Sequence, residues 1–305
     1  MPKVTIIILN YNGKEDTLKC LASLQALDFD DYAITVVDNG SQDGSVTAVR
    51  DSYDGVSLIE NGANLGFAAG CNIGIRDALE RGTDFVLLIN NDTVSIDPTF
   101  LGKLVEFYGS TPDAGAVGPV ILYEGSDIVW FAGGRVSYLT GFSRHMGKGV
   151  PVSSLAVSGP FAVDYVSGCA VLLGADFLRD VGIFDEDYFF YYEDMDLCAR
   201  ARACGYLNYV VPSSTFSHRK SASAGVAGEN KLTAFQSYYM AANAILFAQK
   251  NLSGWRRATF LAGQFTFRLA YNMLMVSGKV AAHEYLRGLR DGTRSLRRRN
   301  VQQGF

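Results

Sequence analysis

Carboxylates crowd one short stretch of the sequence in a way that suits acid–base chemistry. Residues 192–197 place Glu193, Asp194 and Asp196 within four positions, where like charges repel one another. Acidic residues also favour the start of a helix, so part of this cluster can serve as a cap. Arg200 lies four residues after Asp196, the spacing of an ion pair on a helix. We therefore expect a structural role for Asp196 and a general base at Asp194.

A second candidate site follows the apolar run Val86–Ile89. Asn90, Asn91 and Asp92 supply amide and carboxylate oxygens at the end of this predicted strand, which suits a hard divalent cation. Such an ion can hold a diphosphate and neutralise its charge as it leaves. Asn and Asp are also ordinary turn residues, so a structural interpretation of the tripeptide stays open.

His218 is a candidate to complete this metal shell with Asp92, because a neutral imidazole is a common ligand. It follows a strand predicted over Tyr206–Val211 and closed by Pro212, and it precedes a Ser- and Gly-rich stretch, residues 221–228. A single histidine is more often structural, and that alternative stays open. Its position between a strand and a flexible segment favours the ligand interpretation.

The hydrophobic pattern predicts the elements that position these residues. Apolar, β-branched runs indicate buried parallel strands at Val4–Leu9, Ala33–Val37, Val56–Ile59 and Phe85–Ile89. Helical spacing indicates helices over Glu15–Leu27, from about Gly44, and over Gly66–Leu79. This alternation predicts an α/β fold, with a mostly parallel Rossmann-like sheet and helices on both sides.

Three polar clusters stand at the carboxyl ends of these predicted strands, where parallel sheets collect ligands. They are Asn10-Tyr11-Asn12, Asp38-Asn39-Gly40-Ser41 and Asn90-Asn91-Asp92. Each cluster alone reads as a turn, but the shared placement of all three predicts one ligand crevice.

The stretch from Asn64 to Asn72 opens a predicted helix with small residues. We expect its backbone to approach a ligand closely, with helix N-terminal amides facing phosphate or sugar oxygens. The glycines Gly66, Gly70 and Gly74 do not have the spacing of a dinucleotide-binding fingerprint, which argues against a dinucleotide fold.

The remainder of the chain changes character twice. Residues 115–175 are Gly-rich and predict short mixed or antiparallel strands, with a loop over Tyr138–Leu155 that is either a lid or an ordinary surface loop. A short helix is predicted over 193–204. From Asn230 to about Arg298 the pattern is helical, broken near Ser253-Gly254.

Composition narrows the class of protein. The chain has 305 residues, 48% of them apolar and 19% charged, which is typical of a globular protein with a sizeable core. Its five cysteines include no CxxC pair, which argues against a zinc site or a disulfide framework and favours a reducing cytoplasm. The apolar run at the N-terminus is too short for a signal peptide and is interpreted as a strand.

Charge is distributed unevenly along the chain. Residues 250–305 carry eleven Lys and Arg against two Asp and Glu, a net +9, which leaves −13 for the remainder of a chain of net charge −4.

Phe260–Val276 is apolar but contains Arg268, which is costly in a membrane-spanning helix. We therefore expect an amphipathic region that contacts an anionic membrane surface, aided by Arg287, Arg290, Arg294 and Arg297–Arg299. A dimer-forming tail is the alternative. No nucleic-acid motif is present, so nucleic acid is not expected as a partner.

Taken in order, the motifs of residues 4–220 resemble the family 2 glycosyltransferases, and within them the bacterial rhamnosyltransferase-like group. The resemblance rests on stretches 6–13, 38–45, 64–67, 88–93, 182–186 and 190–197. It implies a GT-A fold over residues 1–225, with a donor-binding half (about 1–95), an acceptor half (about 96–225), and a helical basic extension at 226–305. It also implies a nucleotide-diphosphate sugar donor and Mg²⁺ or Mn²⁺.

The resemblance also implies roles for individual residues. Asp38 would bind the nucleotide base or ribose, Asn90 and Asp92 stand at the DxD-like metal motif, Asp194 matches the general base, and His218 joins the metal. The wider donor-binding set is Asn10, Tyr11, Asn12, Asp38, Asn39, Asn64, Gly66, Asn72, Asn90 and Asn91. Two positions depart from the family pattern. The metal motif starts with Asn, which implies weaker ion affinity, and Ala242 replaces an arginine expected to contact phosphate.

The expected reaction is an inverting, single-displacement transfer at the inner face of the cell membrane, in cell-surface polysaccharide synthesis. The donor predicted by resemblance is dTDP-L-rhamnose, with UDP-hexoses as the alternative, and the acceptor is a saccharide or a lipid-linked saccharide. Two other classes stay open. A nucleotidyltransferase normally has a Gly-rich basic loop, which is missing after Leu9, and a non-catalytic nucleotide- or membrane-binding scaffold has no need of Asp92 and Asp194.

Overall fold

A computed structural model describes residues 2–157, 159–219, 233–273 and 279–302, without the side chains of 279 and 295–302. The chain forms two compact units. The first, here the sheet unit, comprises residues 1–135, 145–189 and 193–223, and the second, the helical unit, comprises 136–144, 190–192 and 224–305. Two short stretches from the middle of the chain thus cluster with the C-terminal helices. The predicted domain boundary at residue 225 places both of these stretches in the catalytic domain, and that division stays a prediction.

The first half of the chain alternates strands with helices, as predicted. Its strands are β1 (Val4–Asn10), β2 (Tyr32–Asp38), β3 (Val56–Glu60), β4 (Phe85–Asn90) and β5 (Thr93–Ser95). Its helices are α1 (Lys14–Leu24), α2 (Ser45–Ser52), α3 (Phe67–Glu80) and α4 (Phe100–Ser110).

The following segment contains shorter strands and two helices. The strands are β6 (Ala114–Tyr123), β7 (Val129–Phe131), β8 (Gly134–Val136), β9 (Ser143–His145), β10 (Phe161–Val163), β11 (Ala170–Gly174) and β12 (Leu207–His218). The helices are α5 (Ala175–Val181) and α6 (Glu193–Ala203), and a 3₁₀ turn spans Val152–Ser154. The loop predicted over Tyr138–Leu155 therefore contains a strand and a turn.

The main sheet is parallel on one side and mixed on the other. Its order is β10-β12-β6-β11-β4-β1-β2-β3, with β5 added to β12 and β7 to β6. Strands β3, β2, β1 and β4 are parallel, whereas β11 runs antiparallel to both β4 and β6. The chain leaves β1 on one side toward β3 and returns on the other side at β4. The switch point between β1 and β4 is where such folds bind ligands.

Strand β1 is mostly apolar because both of its faces are covered. Ile6, Ile7 and Ile8 are fully buried, and burial of each side chain contributes roughly 1.5–3 kcal/mol. Helix α3 packs closely on this strand through glycine: a Cβ on Gly74 would lie 2.8 Å from a methyl carbon of Ile7. The small residues of α3 therefore bring the helix against the sheet, which is a different partner from the ligand that the sequence predicts.

Strand β12 is longer than the sequence pattern predicts. It does not end at Pro212 but continues to His218. Its parallel register with β6 shifts between Val211 and Thr215, and such an irregularity accommodates a proline that cannot donate to the ladder. The continuation pairs His218 with Thr93 of β5, which carries the imidazole to the end of β4.

The helical unit contains α7 (Ala234–Asn251), α8 (Gly254–Gly263), a π-helical turn (Gln264–Arg268), α9 (Leu269–Tyr271) and α10 (Lys279–Gln302). Ala241 and Ile245 of α7 pack with Tyr285 and Leu289 of α10 in a buried cluster. The break predicted near Ser253-Gly254 is confirmed. Over the part of the chain that is described, no helix is long and apolar enough to span a membrane. Residues 221–228, predicted to be flexible, lie outside the described residues.

Candidate functional site

Asn10 is the centre of a hydrogen-bond network at the carboxyl end of the sheet. Its Nδ2 donates to Asp38 Oδ2 at 2.7 Å and to Ser41 Oγ at 3.1 Å. Its Oδ1 accepts from Thr17 Oγ1 at 2.8 Å and from Asn91 Nδ2 at 3.1 Å. The side chain is 1% exposed. Asn10 therefore ties β1, β2, α1 and the end of β4 together, and its donors are already used within the protein.

Asp38 organises the turn that follows β2. Its Oδ1 accepts the backbone N–H groups of Gly40 and Ser41, at 3.0 and 2.8 Å. Asn12 adopts a left-handed conformation, with φ of 51°, and its Oδ1 accepts the N–H of Gln42 at 2.8 Å. Tyr11 stands out from this network because 44% of its surface is exposed. These contacts hold the turns, and the side chains of Tyr11 and Asn12 are exposed to solvent.

Internal contacts also occupy the residues predicted around α3. Both amide hydrogens of Asn72 are used, by Phe184 O and Glu186 Oε1, and the side chain is fully buried. The N–H of Phe67, the first residue of α3, donates to Phe189 O at 2.8 Å. A Cβ on Gly66 would lie 2.6 Å from that same carbonyl oxygen. Asn72 and Gly66 therefore position neighbouring loops, and the first amide of α3 is not open to a phosphate.

Two asparagines complete this part of the predicted donor set. Asn39 Nδ2 donates to Gly66 O at 3.0 Å, and Asn39 Oδ1 accepts from Asn61 Nδ2 at 2.9 Å. Asn64 Oδ1 accepts the N–H of Gly66 at 3.0 Å. Asn39 is buried and Asn64 is exposed, so of the two only the Asn64 side chain is open to solvent. Direct contact of either side chain with the sugar donor stays a prediction.

Asp92 and His218 form a buried pair at the ends of β4 and β12. His218 Nε2 lies 3.2 Å from Asp92 Oδ1, and both side chains are about 5–6% exposed. Burial alone lowers the pKa of His218, but the adjacent Cys169 thiol and Asp92 carboxylate outweigh it and raise the pKa well above its usual value. The pair predicted from sequence is thus adjacent in the fold.

The donor set of this pair fits a divalent cation when His218 is neutral, because an imidazolium has no lone pair to offer and a bound cation would replace the proton at Nε2. A separation of 3.2 Å between the two ligand atoms is close to the ~3 Å expected for neighbouring ligands on an octahedral ion with bonds of about 2.1 Å. The described residues contain no cluster of three or more His, Cys, Asp and Glu around one point. Protein side chains would therefore supply two ligands, and Mg²⁺ and Mn²⁺ commonly take the others from phosphate oxygens and water.

Asp194 lies at the start of α6 in a setting that suits a general base. Its Oδ2 accepts the N–H of Gly168 at 3.3 Å, and its Oδ1 accepts the N–H of Met195 at 2.7 Å. Burial raises the pKa of Asp194 from 3.8 to about 6, although these backbone donors oppose the shift. A carboxylate with this pKa is ionised at neutral pH and still basic enough to accept a proton.

The two neighbouring carboxylates have different environments. Glu193 is buried, and its Oε2 has no hydrogen-bond partner among the described residues. Burial and the nearby Asp194 raise the pKa of Glu193 well above its usual value, which favours its neutral form. The predicted pair of Asp196 and Arg200 is confirmed at 2.8 Å, and Tyr188 Oη also donates to Asp196 at 3.2 Å. Asp196 therefore has the structural contacts expected of it.

Sequence reasoning missed the segment that links Asp194 to the Asp92–His218 pair. Gly168 N–H contacts Asp194, while the carbonyl oxygen of Cys169 accepts the N–H of Asn90 at 2.9 Å. Trp130 of β7 was also missed, and its ring centroid lies 4.6 Å from that of His218. These positions have no local motif, since β11 and β7 reach the site only through sheet pairing.

The helical unit holds a strained turn immediately before α6. Tyr191 and Tyr192 have φ of 69° and 75°, a left-handed conformation that is costly for bulky residues. Asn243 of α7 donates to the carbonyl oxygens of Phe190 and Tyr191, at 2.9 Å each. Asn243 thus stabilises the unusual backbone that leads into Glu193-Asp194.

A sheet with a ligand-binding switch point, a carboxylate–histidine pair and a buried carboxylate at Asp194 are features of an α/β enzyme. Family models agree: Glycosyl transferase family 2 matches residues 5–163, and Glycosyl transferase family group 2 matches residues 85–282. The chain belongs to glycosyltransferase family 2. It is therefore a glycosyltransferase, and it is similar to the rhamnosyltransferases of that family.

Curated relatives include several rhamnosyltransferases. The N-acetylglucosaminyl-diphospho-decaprenol L-rhamnosyltransferase of Mycobacterium tuberculosis is 29% identical over 280 residues, which cover 83% of this chain and 86% of the relative. A dTDP-rhamnosyl transferase of Shigella flexneri is 26% identical, covering 80% of this chain and 79% of the relative. The family and these relatives argue against the nucleotidyltransferase and scaffold alternatives.

Solved structures share the fold. A mannosyltransferase from Pyrobaculum calidifontis, in complex with GDP-Man and Mn²⁺, has a TM-score of 0.60 at 18% identity, covering 93% of this chain and 78% of that one. S. aureus TarS 1-349 with UDP-GlcNAc has a TM-score of 0.61 at 18% identity, covering 95% and 80%. The predicted GT-A fold with a C-terminal helical part is confirmed.

Proposed function

We propose that this glycosyltransferase moves L-rhamnose from dTDP-L-rhamnose to a hydroxyl of a lipid-linked saccharide, with inversion and with Mg²⁺ or Mn²⁺. The single observation that carries the proposal is the juxtaposition of Asp194, with its raised pKa, and the Asp92–His218 pair through Gly168-Cys169. The choice of sugar and acceptor is supported by what the M. tuberculosis and S. flexneri relatives are named for.

In this proposal Asp194 removes the proton from the acceptor hydroxyl. Its pKa of about 6 keeps it ionised near neutral pH, and the N–H groups of Gly168 and Met195 fix the direction of its oxygens. The raised pKa of Glu193 beside it disfavours a second negative charge at this position. The activated oxygen attacks the anomeric carbon from the face opposite the diphosphate, and one such displacement inverts the configuration.

Asp92 and His218 would hold the divalent cation. When bound, that cation neutralises the negative charge that develops on the departing diphosphate. The chain's own contribution is a rigid pair of ligands, because the backbone of Arg219 donates to Asp92 O at 2.9 Å and His218 is fixed by its pairing with β5. Exposed Tyr11, at the end of β1, is the candidate to stack on the nucleotide base.

Calorimetric binding of dTDP, UDP and GDP, each with and without Mn²⁺, tests the donor site. We expect metal-dependent binding of dTDP, with UDP and GDP bound more weakly. A preference for UDP would retain sugar transfer and replace rhamnose by a UDP-hexose. Folded protein that binds none of the nucleotides would refute the proposed donor site.

We also propose that the helical unit contacts an anionic membrane surface, which would bring the enzyme to a lipid-linked acceptor. Large apolar side chains are exposed there, among them Trp255 (62%), Phe267 (61%) and Val280 (70%). Arg256 lies over the Trp255 ring at 5.6 Å, a combination of aromatic and cation suited to lipid headgroups. The basic charge of residues 250–305 supports the same partner.

Cosedimentation with vesicles tests this contact. We expect wild-type protein to bind vesicles containing phosphatidylglycerol and to bind phosphatidylcholine vesicles poorly. Trp255→Ser with Phe267→Ser should release the protein, whereas Leu207→Ser, an exposed apolar residue of the sheet unit, should not. Unchanged binding of the double variant would refute the contact, and a concentration-dependent dimer lost in that variant would favour a subunit interface.

A further inference from the structure

Arg219 connects the Asp92–His218 pair to helix α1, in part through an ion pair. It directly follows His218, and its N–H donates to Asp92 O at 2.9 Å. Its Nη2 lies 2.8 Å from Asp16 Oδ2 in the first turn of α1. The guanidinium therefore stands between the ligands at the ends of β4 and β12 and the helix that follows β1.

The two partners of this ion pair differ in exposure. The Asp16 side chain is 9% exposed, while that of Arg219 is 40% exposed. Burial raises the pKa of Asp16, Arg219 lowers it, and nearby Asp92 raises it again. Asp92 is thus near enough to Asp16 to affect its pKa, and the guanidinium of Arg219 is paired with Asp16.

A donor diphosphate at Asp92 and His218 would meet these two carboxylates. Their negative charge repels a diphosphate unless a cation besides the metal offsets it. A guanidinium has five N–H donors in a planar fork, which matches phosphate oxygens. Of these donors, one is accounted for by Asp16 within the described part of the chain. The remaining donors are on a side chain that solvent and ligands can reach.

We infer that Arg219 binds the diphosphate of the sugar donor, while Asp16 holds the guanidinium in place until the donor arrives. This assignment rests on the proposed donor site. It supplies a phosphate-binding arginine to a chain that has Ala242 where the family resemblance led us to expect one. The alternative is that Arg219 and Asp16 form a strut that only anchors the end of β12 to α1.

A matched pair of variants distinguishes these roles, because each breaks the same ion pair. Arg219→Gln should weaken dTDP binding by about tenfold or more, as expected for the loss of a charged hydrogen bond to phosphate. It should leave binding of thymidine, which has no phosphate, unchanged. Asp16→Asn should bind dTDP as well as wild type or more tightly, because it frees the guanidinium and removes a negative charge.

Equal weakening of dTDP binding in both variants would identify a strut and overturn the assignment. Wild-type affinity in Arg219→Gln would overturn it as well, provided that wild type itself binds dTDP. If wild type binds no nucleotide, the proposed donor site fails first.

Thermal unfolding shows whether Arg219→Gln folds, and Arg219→Lys is the second variant. Lys keeps the charge, so its dTDP affinity should lie between those of wild type and Arg219→Gln, and affinity as low as that of the Gln variant would count against the assignment.

Discussion

Two groups of polar side chains lie near the carboxyl edge of the sheet. They differ in how far their hydrogen-bonding groups are paired within the protein. The amides of Asn10, Asn39 and Asn72 are buried, and their hydrogen bonds go to other protein groups. Asp194 and the Asp92–His218 pair are also largely shielded, yet the pKa values of Asp194 and His218 are raised above their usual values.

This difference separates positioning from chemistry. A buried amide with all its partners inside the protein lowers the energy of one backbone arrangement and has little left to offer a ligand. A desolvated carboxylate, or a carboxylate–histidine pair without further protein ligands around it, is still able to interact with a substrate or a cation. Substitutions in the first group should therefore affect stability, and those in the second group should affect turnover or binding.

The largest effect is expected for Asp194→Asn. Removal of a general base should lower the kcat of sugar transfer by about 10³-fold, within the usual range for acid–base catalysis. Steady-state kinetics with the donor and a saccharide acceptor measures this. Asp176→Asn, a change at an exposed carboxylate on α5, is the matched control and should retain wild-type turnover.

Although Asp194→Asn should lower kcat, it should leave the free energy of unfolding unchanged or raise it. Because burial raises the pKa of Asp194 from 3.8 to about 6, the folded state binds more protons than the unfolded state between these values. The carboxylate therefore costs stability as pH rises through this window, and the cost is complete above about 6. The amide avoids it, so the free energy of unfolding at pH 7.5 should be equal or higher. A marked loss of stability would contradict a catalytic role.

Asn10→Ala should have the next largest effect, on folding. The substitution leaves Asp38, Thr17 and Asn91 without a shared buried partner, which should lower the free energy of unfolding by about 3 kcal/mol. Urea denaturation monitored by fluorescence measures this. A fully stable variant that had lost dTDP binding would show that Asn10 contacts the donor directly and would break the distinction between the two groups.

His218→Ala should weaken Mn²⁺-dependent binding of dTDP, by between about 10- and 100-fold, as losses around metal ligands typically do. Metal-free binding should change little. Calorimetry over a Mn²⁺ series measures this, with His283→Ala as control, because that histidine is exposed on α10. Equal Mn²⁺ dependence in wild type and His218→Ala would remove His218 from the site.

The smallest expected effect is a pH dependence of kcat. Asp194 acts as a base only when ionised, so a pKa of about 6 predicts that kcat is about tenfold lower at pH 5 than at pH 7. The residual activity of Asp194→Asn should lose this dependence. A profile that is flat in wild type between these values would require a different base.

Much of the fold was predictable because its signals are local. Strands β1, β2, β3 and β4 were placed to within one residue at each end, since continuous β-branched runs are distinctive in a sheet covered on both faces. Strand β12 was predicted too short, because a proline normally ends a strand and the bulge that accommodates Pro212 depends on pairing with β6. The strand β9 within residues 138–155 was missed for the same reason, as short strands depend on their partners.

The candidate site divides in the same way. Asp92, His218 and Asp194 were predicted from residue type, motif order and family resemblance, and the structure brings them together. Their surroundings were not predicted. Gly168-Cys169 and Trp130 have no motif, and the contact between Asn91 and Asn10 joins residues 81 apart in the chain. Whether an asparagine at a strand end faces a ligand or another amide depends on such distant partners.

The parallel half of the sheet and the polar residues at its carboxyl edge could be predicted from local patterns, because strand period and turn chemistry depend on neighbouring residues. The class of the enzyme followed from the resemblance of the ordered motifs to a known family. Which of the polar residues make all their hydrogen bonds within the protein became visible in the folded structure alone. Burial raises the pKa of Asp194, and the length of β12 carries His218 to Asp92. Both result from desolvation and pairing between elements far apart in the chain, and no local pattern records them.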